Sequence, residues 1–245
     1  MEKIIIALIS ICCLVNQNFT ELKENVDTPV APVINENVNE FSNAEKVEIE
    51  PIKVTIKAPT MNINAVYPAA RSFKSKEFEN YINKSIVNNF SSYRNEIEQI
   101  VDDYTLDGKM YSYTVNYERN NCKDYLSLVI SHDYQTGGVR SNTWKEIYNI
   151  DVLEEQILYL EDIFDVTTDY KTAIITEITK QAKEKGIVLM KNDGLQELPR
   201  RQKFYIRDGK LIIYFDPSEI AKNKYGLLEF EMPFEMGVDG YFKIK

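Results

Sequence analysis

The sequence predicts an α+β protein: a mostly antiparallel sheet with two long helices packed on it, divided into two small subdomains. Three observations carry that prediction. Apolar residues alternate with polar ones in several short segments, the period of a half-buried strand. Two longer stretches repeat their apolar residues every three or four positions, the period of a helix with one buried face. Turn dipeptides, Asn120-Asn121, Gly137-Gly138 and Asp208-Gly209, separate successive strand patterns, as an antiparallel meander requires. There is no internal repeat and no heptad array.

The elements follow in order. Ile4 to Val15 is an apolar run too short for a bilayer span of ~20 residues and suited to the apolar region of a secretory signal, so residues 1–19 are expected to be a signal peptide or membrane anchor. Cys12 and Cys13 lie inside this run and are read as part of it, with lipidation as the alternative. Residues 20–49, with Pro29 and Pro32 and then mostly Asn, Glu and Val, have the composition of a flexible linker. Folding is expected from Glu50. Ile52, Val54 and Ile56 alternate with Lys53, Thr55 and Lys57, and Ile63, Ala65 and Tyr67 give a second strand stopped by Pro68. Phe78, Ile82, Ile86, Phe90, Tyr93, Ile97 and Ile100 then form one helical face over about Ser75 to Asp103, with Ser75 as N-cap. Strands are expected over Met110–Glu118, Tyr125–Tyr134 and Val139–Ile150. A helical turn at Leu160–Phe164 precedes a helix over Thr168–Lys185, whose stripe is Ala173, Ile174, Ile178 and Ala182 and whose stop is Gly186. The last strands are Phe204–Ile206, Lys210–Phe215 and Leu227–Phe234. The subdomain boundary is placed at 134/135, giving an N-terminal subdomain 50–134 and a C-terminal one 135–245.

Composition bounds the chemistry. The chain has 245 residues, 29 Lys plus Arg against 38 Asp plus Glu, and a net charge of −9. An acid excess argues against a nucleic-acid binder, which needs a basic face. The single His rules out a multi-His metal site. His132, at a predicted strand end, is read as a surface or sheet residue. Cys122 is read as a small core residue. No nucleophile elbow, zinc-protease motif or phosphate-cradling glycine loop occurs, so no cofactor, metal or catalytic residue is expected. The clusters Asp102-Asp103-Asp107 and Asp162-Asp165-Asp169 are the only plentiful acid–base material; the second precedes a helix, where the dipole favours acids. A carboxylate-based glycan hydrolase built on them is the weakest reading. The sixteen tyrosines offer two readings: the stripe Tyr111, Tyr113 and Tyr117, with Tyr125 and Tyr134, is either a wet aromatic binding face or cross-strand core.

Several motifs are familiar. They are Asn62-Ile-Asn-Ala-Val-Tyr67-Pro68, Tyr81-Ile82-Asn83-Lys84-Ser85-Ile86 and Tyr134-Gln-Thr136-Gly137-Gly138-Val-Arg140-Ser-Asn142-Thr143. A fourth is Asp208-Gly-Lys-Leu-Ile-Ile-Tyr214-Phe215-Asp216-Pro217, running on through Ile220-Ala221 and Gly226 to Glu229-Phe-Glu-Met-Pro233-Phe234. Over roughly residues 50–236 the chain resembles a tandem of two bacterial domains of unknown function. That tandem forms the extracytoplasmic part of RsiV-type lysozyme-sensing anti-sigma factors and the N-terminal accessory region of peptidoglycan deacetylases. The resemblance implies an α+β fold and an exported, non-catalytic role at the envelope of a Gram-positive bacterium, binding a lysozyme-like protein or, alternatively, a wall glycan. Neither sigma-factor control nor deacetylation is expected of it. It points to Tyr134, Thr136, Gly137, Gly138, Arg140, Asn142, Asp216, Pro217 and Tyr225 as ligand-binding residues. Arg140 stands where the family often has His, and Lys222-Asn223-Lys224-Tyr225 where it is often Pro-Tyr-rich.

Overall fold

A computed structural model describes residues 43–104, 110–136, 140–190 and 195–235. The expected export segment, the linker as far as residue 42, and Gly137 and Gly138 lie outside the described residues.

The folded part begins earlier than Glu50. Asn43–Lys46 forms a 3₁₀ turn in which Ala44 is buried and Asn43 Nδ2 donates to Asp124 Oδ1 at 2.7 Å. β1 (Glu48–Lys57) buries alternate residues in part and turns Lys53, Thr55 and Lys57 outward, as its period requires. β2 (Met61–Arg71) pairs antiparallel with it. Pro68 does not stop β2. It sits opposite Pro51 of β1 and beyond Ala65, where the parallel pairing of β2 with β3 ends. Two prolines can face each other only where neither strand needs that amide.

The helix α1 (Lys76–Tyr104) starts as the sequence expects, with Ser75 Oγ accepting from Phe78 N at 3.1 Å. Glu155, far along the chain, fixes the same start by accepting from Lys74 N at 2.6 Å and Ser75 N at 2.9 Å. Ile82, Ile86, Phe90 and Ile97 are buried. Ile100 departs from the expected face: it is 41% exposed, and Val101 takes the inward place. A step of four from Ile97 stays on the inner face, where a step of three turns off it.

β3 (Tyr111–Cys122), β4 (Tyr125–Thr136) and β5 (Arg140–Asp151) form the meander, and β6 (Gln156–Ile157) adds two residues. The strand order is β1-β2-β3-β4-β5-β6, with only β2–β3 parallel. The β3–β4 turn is Lys123-Asp124, with Lys123 at φ 53°. Asn120 and Asn121 are strand residues, and Asn121 Oδ1 accepts from Arg119 Nε at 3.1 Å. Residues 134 and 135, the expected division, are neighbours within β4.

The helices α2 (Leu160–Ile163) and α3 (Tyr170–Glu184) precede β7 (Phe204–Arg207), β8 (Lys210–Phe215) and β9 (Leu228–Glu235), a separate three-stranded antiparallel sheet. Asp208 and Gly209 both have positive φ, the requirement of a two-residue type I′ hairpin. At the end of α3, Gly186 N donates to Lys183 O at 3.1 Å and Ile187 N to Ala182 O at 2.8 Å, a complete Schellman stop.

The layers follow from which residues each strand turns inward. Leu126, Leu128 and Ile130 of β4 pack with Tyr113 and Val115 against α1. Val129, on the other face, meets Tyr205 and Ile212 of the smaller sheet. The far face of that sheet, with Phe204, Leu211, Ile213, Phe215 and Phe230, covers Ile163, Ile174 and Ile178 of α2 and α3. The order is helix, six-stranded sheet, three-stranded sheet, helices. The tyrosine stripe is core rather than a wet face: Tyr111, Tyr113 and Tyr134 are buried, and Phe90 stacks on Tyr113 at 6.1 Å.

Candidate functional site

A cleft of about 650 Å³ runs along β5. One wall is the last third of α1, with Tyr93, Glu96, Ile97 and Ile100. The other is the segment entering β7, with Arg201, Gln202 and Lys203, together with Asp216. Tyr159, after β6, closes one end. The cleft forms because β6 covers only the last residues of β5, while helix and second sheet project past that strand on either side.

Beneath the helix-side wall lies a polar and aromatic nest. His132, 2% exposed, is stacked on Trp144 at 4.9 Å with an interplanar angle of 4°. Tyr93 closes edge-on over both rings, at 5.1 Å from His132 and 5.2 Å from Trp144. His132 Nδ1 is 2.7 Å from the Tyr113 hydroxyl, and its Nε2 is 3.6 Å from Glu146 Oε2. Burial, and then the charge of Glu146, push the Tyr113 phenol well above its ordinary value. It therefore keeps its proton, as a neutral hydroxyl beside the imidazole. Glu146 also accepts from the Tyr148 hydroxyl and from Asn89 Nδ2 at 2.5 Å. The opposite wall is held in the same way. Tyr214 takes the backbone N–H of Lys145 at 3.0 Å and donates to Asp216, which Lys203 also engages. Both carboxylates are thus committed to several partners. Three buried polar atoms of the lining are not: the Tyr134 hydroxyl, Trp144 Nε1 and Gln202 Oε1 have no hydrogen-bond partner, although Tyr134 is only 4% and Gln202 6% exposed. Orphaned buried polar atoms are rare in folded proteins and mark a place where a ligand or water belongs.

Of the residues singled out from the sequence, Tyr134, Asn142 and Asp216 line this cleft. Pro217 follows Asp216 in the turn leaving β8. Thr136 and Arg140 pair opposite each other where the β4–β5 connection begins. Tyr225 is not in the lining; its hydroxyl accepts from Val188 N at 3.2 Å, beyond the end of α3. His132, Glu146, Tyr93 and Gln202 were not legible as a group. They come from separate elements: the β4–β5 register sets His132 opposite Trp144, α1 brings Tyr93 to both rings, and the segment entering β7 brings Gln202 to the cleft. The single Trp, two residues from Asn142 in a familiar motif, was the one available signal.

The aspartates before α3 are structural. Asp162 Oδ2 accepts from Tyr159 N at 2.8 Å, Asp165 Oδ1 from Thr167 N at 2.8 Å, and Asp169 caps α3. Among the described residues no group of three His, Cys, Asp or Glu side chains is placed to hold a metal ion.

Comparison with known proteins adds the following. Residues 161–235 match the family described as "Protein of unknown function (DUF3298)". The fold is similar to the crystal structure of a DUF3298 family member from Bacteroides fragilis NCTC 9343, with a TM-score of 0.55 and 16% identity over 76% of this chain and 90% of that one. It is also similar to that of a DUF3298 family protein from Pseudomonas aeruginosa PAO1, with a TM-score of 0.55 and 13% identity over 82% and 97%. No curated protein matches the sequence. Residues 161–235, from α2 to the end of β9, are accordingly a DUF3298 domain, set in a chain whose fold is shared with solved members of that family.

Proposed function

We propose that this chain is an exported, non-catalytic cell-envelope protein of a Gram-positive bacterium that binds a lysozyme-like protein in the β5 cleft. The observation that carries the reading is convergence. Tyr134 and Asn142 of one motif and Asp216 of another far along the chain line one cleft together with the half-buried ring of Trp144 and the orphaned Gln202 carbonyl. A binding role suits the carboxylates, since Glu146 and Asp216 are engaged by neighbours rather than held apart for acid–base work. The net charge of −9 suits a cationic partner, which it would steer over distance.

The test is calorimetric titration of the full chain with a cationic lysozyme at low and high salt. Binding that weakens with salt, and that falls about tenfold or more in Trp144→Ala, is the expected result. Binding indifferent to Trp144→Ala removes the cleft from the reading. A wall glycan is the second reading, favoured by the half-buried ring of Trp144 and the exposed ring of Tyr159 in the same cleft as Asn142. Sedimentation with purified peptidoglycan, without lysozyme binding, would select it.

A further inference from the structure

Backbone groups of an antiparallel strand point to its two sides at alternate residues, and three hydrogen bonds sort those of β5. Val152, just past the strand, donates to Asp124 O at 2.9 Å, on the β4 side. Asn149 O accepts from Leu158 N at 2.8 Å, on the other side. Lys145 N, two steps of two earlier, is held by the Tyr214 hydroxyl at 3.0 Å. Thr143, Lys145, Ile147 and Asn149 therefore turn their amides and carbonyls away from β4. β6 pairs with Ile150 and Asp151 alone. Among the described residues the backbone groups of Thr143 and Ile147 on this side have no hydrogen-bond partner. From Lys145 to Asn149 this edge is the floor of the cleft, with α1 on one side and Arg201 to Lys203 on the other.

We propose that β5 takes an extended segment of a protein partner as an added strand, antiparallel to β5 and in line with β6. The inference rests on the reading of the cleft as a protein-binding site and names its mode. A strand in that line supplies donors and acceptors at the spacing that Thr143 and Ile147 leave open. Its side chains alternate between the two walls. Those facing α1 meet Ile97 and Ile100, which select apolar residues; the others meet Arg201, Gln202 and the paired Lys203 and Asp216, which select polar ones. A carbonyl of the incoming strand displaces the Tyr214 hydroxyl from Lys145 N–H, and that hydroxyl keeps Asp216 as its acceptor.

The probe is an octapeptide of alternating valine and threonine, titrated into the full chain while backbone amide resonances are followed. Shifts at Thr143, Lys145 and Ile147, with none at Ile52 and Val54 of β1, are expected. Ile147→Pro, which removes one outward N–H from an edge position that tolerates proline, weakens binding about tenfold, the worth of one net hydrogen bond. Ile147→Ala, which keeps the N–H, leaves the affinity within about threefold. A second pair of peptides needs no folded variant. Methylating alternate amides along one edge of the peptide abolishes binding, and methylating those along the other edge does not. Equal binding of the two methylated peptides, or no shift at the three β5 amides, overturns strand addition. Lysozyme binding that remains sensitive to Trp144→Ala would then still support the cleft, so the two readings fail separately.

Discussion

Asn149 joins the two sheets through one buried carboxamide. Its Oδ1 accepts from Ser127 Oγ at 2.7 Å, and its Nδ2 donates to Phe204 O at 2.8 Å. Ser127 Oγ in turn accepts from Ile206 N at 3.1 Å. Truncation would strand a hydroxyl and a backbone carbonyl away from water. Asn149→Ala is expected to cost about 2–3 kcal/mol, read from the urea midpoint; a loss under about 0.5 kcal/mol would mean that water satisfies the bridge. Nothing in the sequence marks Asn149 for this task. Its partners lie on β4 and β7, and a polar residue late in a strand pattern reads as a surface position until the second sheet is known to cover it. His132 is the sheet residue expected of it, but its burial is supplied by Tyr93 and Trp144 and not by its neighbours Ser131 and Asp133.

At the scale of elements, what local chemistry dictates was readable. Ser75, Gly186 and the Asp208-Gly209 hairpin act through backbone groups a few residues away, so their positions announced them. Gly186 has φ +66° and open space where a Cβ would stand. Gly186→Ala therefore meets only the left-handed backbone penalty, about 1–2 kcal/mol, without a clash. Thermal unfolding should show that loss, and a neutral result would mean that the α3 stop relaxes. The β3–β4 turn was not readable. Two asparagines mark a turn by composition, yet pairing along the whole strand carries them past it and leaves Lys123 with the positive φ. Pro68 is similar: proline excludes a strand amide, and only the topology shows that no partner strand needed it there.

At the scale of the whole molecule, the tyrosines set the response to alkali. Burial, with Asp151 and Asp124 nearby, raises Tyr125 to about 12. Tyr113, Tyr148, Tyr205 and Tyr214 are raised further, by burial first and by neighbouring carboxylates second. A phenol in the unfolded chain loses its proton near pH ~10. Above that pH the folded protein holds more protons than the unfolded one, so stability is complete below about pH 10 and falls as pH rises through about 12. Tyrosinate absorbance should lag that of free tyrosine and then appear together with unfolding. Ionisation of all sixteen tyrosines at the ordinary pH, with the fold intact, would contradict the buried stripe. The α+β class and the two long helices were legible at this scale because periodicity reports them. The cleft was not, because its lining comes from Tyr93 to Asp216 and exists only once three layers are stacked.

The two rims of the large sheet differ in kind. β1, the outer strand at one rim, presents Glu48, Glu50, Lys53 and Lys57 to solvent and interrupts its amides with Pro51. The rim at β5 lies in a trench. Growth of a fibre by edge pairing needs two receptive rims, one to be received and one to receive the next copy. Here charge and proline blunt the first, and the second is flanked by α1 and by Arg201 to Lys203. If β5 takes an added strand as proposed, pairing on this sheet stops after a single guest.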